Sequence, residues 1–188
     1  MFRRKIISKL TAWKKEMANK ALLIKGARQV GKTTIVRQFA KANYENFIEI
    51  NFEQMPAAKQ AFEGNLDART ILINLSAMGF GPLEPGKTLV FFDEIQSCPK
   101  ARTAIKFLVE DGQYDYIESG SLLGINYKDV SSYPVGFEHE LDMFPLDFEE
   151  FLWACNISED VIGALKDCYE NLRPVPDFLH QQIMERYR

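Results

Sequence analysis

The sequence predicts an α/β protein, with a parallel sheet flanked by helices. Three observations lead there. The short apolar run Ala21-Leu22-Leu23-Ile24 is followed by a glycine-bounded loop, then by helical spacing of Ile35, Val36, Phe39 and Ala40. A second, nearly continuous apolar run, Thr88-Leu89-Val90-Phe91-Phe92, ends in Asp93 and Glu94, the pattern of a strand buried on both faces. Further strand patterns, Asn46 to Phe52 and Tyr114 to Glu118, are separated from these runs by segments of helical spacing.

The loop after the first strand carries the clearest chemistry. Residues Gly26 to Thr33 fit G-x-x-x-x-G-K-[ST], the phosphate-binding loop pattern. Gly26 and Gly31 are expected to permit backbone angles that a side chain would forbid. The loop N–H groups then form an anion-binding nest, and the following helix adds its positive N-terminal end. The candidate nucleotide contacts are Gly26, Ala27, Arg28, Gln29, Val30, Gly31, Lys32, Thr33 and Thr34. Lys32 is expected at the β- and γ-phosphates, and the Thr33 hydroxyl on Mg²⁺.

The acids after the second run would lie at the C-terminal edge of its strand, where ligands bind in parallel sheets. Asp93 is the candidate to orient Mg²⁺, and Glu94 to polarise water attacking a γ-phosphate. Two adjacent acids alone are weak evidence; about 60 residues beyond a phosphate loop they are strong. Ser119, with Ser121 as second choice, ends the following strand and is the candidate γ-phosphate sensor.

The other elements follow in order. Ile6, Ile7, Leu10, Trp13 and Met17 recur at helical spacing and predict a helix over residues 2–19 that packs in the core. Asn43 suits the end of the helix after the loop. Residues 53–82 are predicted mostly helical and irregular, with a break at Gly64-Asn65. Cys98-Pro99 begins a helix that Asp111-Gly112 ends, and Leu122 to Ser132 is predicted as a loop or broken helix. Phe137 to Phe144 alternates as a fifth strand, with His139 facing solvent. Asp147 is placed to cap a helix over the following residues, and residues 156–188 are helical around Pro174-Val175-Pro176. The chain stops inside a helical pattern without a stop signal, so residues 1–153 are expected as a core and 154–188 as a helical extension opening a further, truncated domain.

Composition limits the alternatives. The net charge of −3 leaves no global basic footprint for nucleic acid, so DNA as a partner is not supported by charge. Cys98, Cys155 and Cys168 are scattered without zinc-ligand spacing, as expected of reduced thiols. No stretch approaches the ~20 apolar residues of a membrane span. The first residues lack the apolar core of a signal peptide, and a cytoplasmic location is expected.

Taken together, the loop Gly26 to Thr33, Phe92-Asp93-Glu94-Ile95-Gln96, Ser119-Gly120-Ser121 and Pro145-Leu146-Asp147-Phe148-Glu149-Glu150-Phe151-Leu152 resemble the prokaryotic AAA-like ATPases whose C-terminal half is a restriction-endonuclease-like domain. The resemblance implies a three-layer, additional-strand P-loop NTPase with sheet order 5-1-4-3-2. It also implies ATP and Mg²⁺ as cofactors, Asp93 and Glu94 as the Walker B pair, and Ser119 at the sensor position. By resemblance ATP is preferred, and the chain has no [NT]-K-x-D guanine-reading motif. Three partners follow from it: a nuclease-like domain absent from this chain, DNA through that domain, and a second copy of the chain in a homo-oligomer. Members often carry Gly-Arg before the last core strand, where this chain has Gly136-Phe137. Arg28 and Arg102 then remain for phosphate or inter-subunit contacts, with a surface salt bridge the simpler role for Arg102. A nucleotide-operated switch acting on a partner is the alternative to a working ATPase.

Overall fold

A computed structural model describes residues 2–16, 19–121 and 136–187. The predicted loop over Leu122 to Ser132 and Met17 of the first helix lie outside the described residues. The chain divides into two compact units, residues 6–145 and residues 1–5 with 146–188.

In the larger unit, five strands among the described residues form one sheet: β1 (Ala21–Lys25), β2 (Asn46–Asn51), β3 (Thr88–Asp93), β4 (Asp115–Gly120) and β5 (Glu138–Asp142). Every neighbouring pair is parallel, and the order is β2-β3-β4-β1-β5, the order that the resemblance implies. The helices are α1 (Ile6–Glu16), α2 (Lys32–Asn43), α3 (Ala68–Ala77) and α4 (Pro99–Asp111), with 3-10 turns over Pro56–Phe62 and Ile95–Ser97.

Strand residues alternate between two apolar layers, as a period of two requires. Leu22, Ile24, Leu89, Phe91 and Ile117 pack with Ile6, Leu10 and Trp13 of α1 and Ile35, Val36 and Phe39 of α2. Leu23, Ile50, Val90, Phe92 and Tyr116 pack on the other face with Ile71 and Leu75 of α3 and Ala104, Ile105 and Leu108 of α4. Phe52, Phe62 and Phe92 meet there with ring centroids 5.6 to 5.7 Å apart, two of the three pairs edge-on, a geometry that adds to simple area burial. β3 is buried along its whole length because both layers cover it.

Helix α1 starts at Ile6, the first residue of its apolar pattern, rather than at residue 2. Helix α2 has its apolar residues at helical spacing and ends at Asn43, whose amide donates to the Phe39 carbonyl at 2.8 Å. Asp67 caps α3 by accepting from the Thr70 N–H at 2.9 Å, and Gly112 ends α4 in the left-handed region at φ 67°.

Arg102 corrects the expectation of a surface salt bridge. It is 2% exposed, and its Nη2 lies 3.0 Å from Glu138 Oε2. Glu118, fully buried on β4, faces the same layer as Tyr116 two residues earlier. Burial, then the neighbouring Glu138 charge, pushes the Glu118 carboxyl well above the ordinary carboxylate range, and Arg102 pulls it partly back. Glu118 therefore keeps its proton above the ordinary glutamate range; burial raises Glu138 as well, while the facing Arg102 draws it down. As pH rises above the ordinary glutamate value, the unfolded chain releases this proton while the folded chain retains it, so stability falls through that window. Glu118→Gln is expected to flatten that decline, read as the slope of the urea midpoint against pH. An unchanged slope would place the proton elsewhere.

The smaller unit holds α5 (Phe148–Ala154), α6 (Glu159–Glu170) and α7 (Asp177–Tyr187), with Leu152, Ile162 and Ile183 as its buried centre. Asp147 caps α5 reciprocally. The Glu150 N–H donates to Asp147 at 2.8 Å, and the Asp147 N–H donates to the Glu150 carboxylate at 3.2 Å. Residues 3–5 are tied to this unit by ion pairs of Lys5 with Asp147 (2.6 Å) and Glu149 (2.7 Å), and of Arg4 with Glu150 (3.2 Å). Among the described residues no helix is long and apolar enough to cross a membrane.

Candidate nucleotide site

The phosphate-type loop joins β1 to α2 at the C-terminal edge of the sheet. Its two glycines are needed for different reasons. Gly31 has φ 97°, a left-handed conformation, and stands at the N-cap of α2. Gly26 is outside that region. A Cβ there would lie 2.3 Å from the Met143 carbonyl oxygen, because the chain leaving β5 binds back to the loop through the Met143 N–H and the Lys25 carbonyl at 2.7 Å. The expectation that both glycines serve backbone angles thus holds for Gly31, while Gly26 makes room for a neighbouring backbone. Gln29 at φ 65° is the loop's other left-handed residue. Val30 packs against the apolar layer under α2.

Lys32 is 5% exposed. Its ammonium donates to the Gly26 carbonyl at 3.0 Å and the Ala27 carbonyl at 2.8 Å. Burial lowers its pKa, while the charges of Glu94 and Asp93 pull it back up. Arg28 points outward, 71% exposed, and its Nη2 lies 3.3 Å from Glu53. Such an exposed pair contributes little to stability. Thr34 follows Thr33 in the first turn of α2.

Strand order brings three polar residues together beside Thr33. Asn51 ends β2, Asp93 ends β3 and Ser119 lies at the end of β4, and these strands are neighbours. Asp93 is 2% exposed and accepts hydrogen bonds from all three flanking side chains. The Thr33 hydroxyl donates to its Oδ2 at 2.9 Å, the Asn51 amide to the same oxygen at 2.9 Å, and the Ser119 hydroxyl to Oδ1. Charge-assisted bonds of this kind are about twice as strong as neutral ones.

Ser119 is fully buried, with its hydroxyl turned to Asp93. Ser121 is 9% exposed. Glu94 follows at φ 53° and ψ 49°, a left-handed conformation that ends β3 and turns the chain into the 3-10 turn. The strand thus ends at Asp93, and the acid pair lies at its C-terminal edge as the apolar run implies. The Glu94 carboxylate accepts from the Gln96 side-chain amide.

Asn51 is absent from the sequence-derived candidates. Its carbonyl oxygen accepts from the N–H groups of Glu53 (3.0 Å) and Gln54 (2.9 Å) while its amide holds Asp93. A polar residue ending an alternating strand is the only local signal; its meaning depends on β2 lying next to β3.

The donor set suits a hard divalent cation bound with a phosphate. Thr33 and Asp93 supply one hydroxyl and one carboxylate 2.9 Å apart, and Mg²⁺ commonly takes one or two such protein ligands and completes its octahedron with water and phosphate oxygens. Among the described residues, no group of three or more His, Cys, Asp or Glu side chains is arranged around a metal position.

A parallel sheet with order β2-β3-β4-β1-β5, a glycine-bounded loop leading into a helix, and an acid on the neighbouring-but-one strand against the loop's threonine define the additional-strand class of P-loop proteins. Residues 18–152 match the family described as AAA domain, and the chain belongs to that family. No curated protein matches the chain. Among solved structures it is similar to PCH-2 of C. elegans, at 13% identity and a TM-score of 0.47, over 92% of this chain and 48% of that one. The chain thus spans about half the length of that structure's chain.

Proposed function

We propose that the chain binds ATP with Mg²⁺ and hydrolyses it, with residues 1–153 as the ATPase core and 154–188 as a helical extension. The observation that carries this is the 2.9 Å bond that brings Asp93 at the end of β3 against Thr33 of the phosphate-type loop, 60 positions earlier in the chain. AAA-domain membership supports an ATPase-type function.

In this proposal the loop N–H groups and the N-terminal end of α2 hold the phosphates. Lys32 exchanges the Gly26 and Ala27 carbonyls for β- and γ-phosphate oxygens, regaining in charge pairing what its burial costs. Mg²⁺, when bound, would neutralise the developing charge on the phosphoryl oxygens, held by Thr33 and by Asp93 directly or through water. Asn51 and Ser119 fix the Asp93 carboxylate for that task. Glu94 takes the proton of the attacking water as general base. Ser119 acts through Asp93 in this arrangement, so the proposed γ-phosphate sensor role passes to its hold on that acid. A homo-oligomer and a nuclease-like partner domain remain proposals from family resemblance.

Lys32→Ala is expected to weaken ATP affinity on the order of a hundredfold, since a charge-assisted contact to phosphate is lost. Calorimetric titration of Mg·ATP into parent and variant reads this. Equal affinities would remove the phosphate role of the loop.

The slow nucleotide-operated switch draws support from the Lys32 contacts within the chain, which nucleotide binding would have to rearrange. Tight binding with negligible turnover would favour it.

A further inference from the structure

We propose that Gln96 is a positioning residue for hydrolysis, holding one oxygen of the Glu94 carboxylate so that the other faces the attacking water. The proposal rests on the reading of Glu94 as general base.

Glu94 sits at a point of backbone strain. For a residue with a side chain the left-handed conformation is strained, and it is held here where the chain leaves β3. Its consequence is geometric. The chain folds immediately into the 3-10 turn, where the Ser97 N–H donates to the Glu94 carbonyl at 2.9 Å and the Cys98 N–H to the Ile95 carbonyl at 2.9 Å. Ile95 is fully buried in the layer with Phe92, which pins the turn to the core. Gln96 is therefore carried on a rigid element, and its amide returns two residues to the Glu94 Oε2.

The direction of that bond follows from chemistry. An ionised carboxylate only accepts, so the amide must present nitrogen to it. The Gln96 Oε1 is shielded from solvent and accepts no hydrogen bond among the described residues. The amide has thus given up a hydrogen bond at one end while keeping the one to Glu94 at the other, the mark of a group held for its donor. Among the described residues, the Glu94 Oε1 accepts no hydrogen bond, which leaves it to receive a proton from water. A free glutamate would sample several rotamers, and a base acts only when it lies within hydrogen-bond reach of the proton it takes. Fixing one carboxylate oxygen converts that search into a single geometry.

The decisive experiment is a double-mutant cycle on ATP turnover. Gln96→Met keeps the length and removes the donor; Gln96→Asn keeps the amide but falls one methylene short. Each is expected to lower kcat on the order of tenfold, as loss of a supporting contact at a catalytic group commonly does, with ATP affinity and melting temperature unchanged. In the Glu94→Gln background, either change is expected to have no further effect on kcat. Equal losses in both backgrounds, or an unchanged kcat in the parent, would overturn the proposal. The side-chain amide signals of ¹⁵N-labelled protein give a reading independent of turnover. One amide pair should disappear in Gln96→Met, and that same pair should move in Glu94→Gln; a pair that stays in place would overturn the contact. A parent chain that binds ATP but never hydrolyses it would overturn the Glu94 reading, and with it the catalytic consequence of Gln96, even if the amide signal moves.

Discussion

Glu94→Gln should bind Mg·ATP as tightly as the parent chain and hydrolyse it about 10²- to 10⁴-fold more slowly, the usual contribution of a positioned general base. The expectation rests on a division of labour visible in the site. The residues that would hold phosphate and cation are on the loop, α2 and the ends of β2, β3 and β4: Lys32, Thr33, Asn51, Asp93 and Ser119. Glu94 is outside that network. Its side-chain contact is with Gln96, and its backbone has already left the strand. An amide at position 94 has nearly the same shape but cannot take up a proton at neutral pH, so chemistry should fail while binding survives. Single-turnover measurement with saturating ATP separates the two. A loss of affinity comparable to the loss of turnover would instead assign Glu94 to nucleotide or cation binding.

Arg102→Ala should have the largest effect on stability, about 3–5 kcal/mol, because it removes the partner of a buried carboxylate. Arg102 and Glu138 are almost wholly shielded from water, and Glu118 lies beside them with no exposure at all. Without the guanidinium, two acids remain in an apolar layer formed by β4, β5 and α4, and both must hold protons at neutral pH to stay there. The lost stability is read as a lower urea midpoint. Arg102→Met combined with Glu138→Gln should recover part of it, since removing both charges leaves no uncompensated ion. A single variant as stable as the parent would mean that the pair contributes nothing. Because Glu118 immediately precedes Ser119 on β4, the same cluster also supports the strand end that holds Asp93.

The fold was legible where its causes are local. The apolar runs of β1 and β3, the helical spacing of α2 and the cap of α5 by Asp147 are each written within a dozen residues, and the sheet order followed from the family that the motifs resemble. The phosphate-type loop was equally plain, since its glycines and Lys32 are contiguous. What escaped was set by adjacency across the sheet. Asn51 acquires meaning only once β2 lies beside β3. Gly26 is small because a backbone returning from β5 touches it, 117 residues further on. Arg102 read as a surface charge because charged residues usually are, and its burial beside Glu118 and Glu138 depends on three separate elements converging. The left-handed backbone of Glu94 was hidden for another reason: apolar patterning marks where β3 ends but does not encode the turn that follows.

The central claim is that this site turns over ATP with Mg²⁺. It is tested most directly by following phosphate release from ATP by the full chain, with Mg²⁺ and with the cation chelated, beside Glu94→Gln under the same conditions. Phosphate release should require Mg²⁺ and collapse in the variant. Release that is equal in parent and variant, or absent from a parent that binds Mg·ATP tightly, would contradict it.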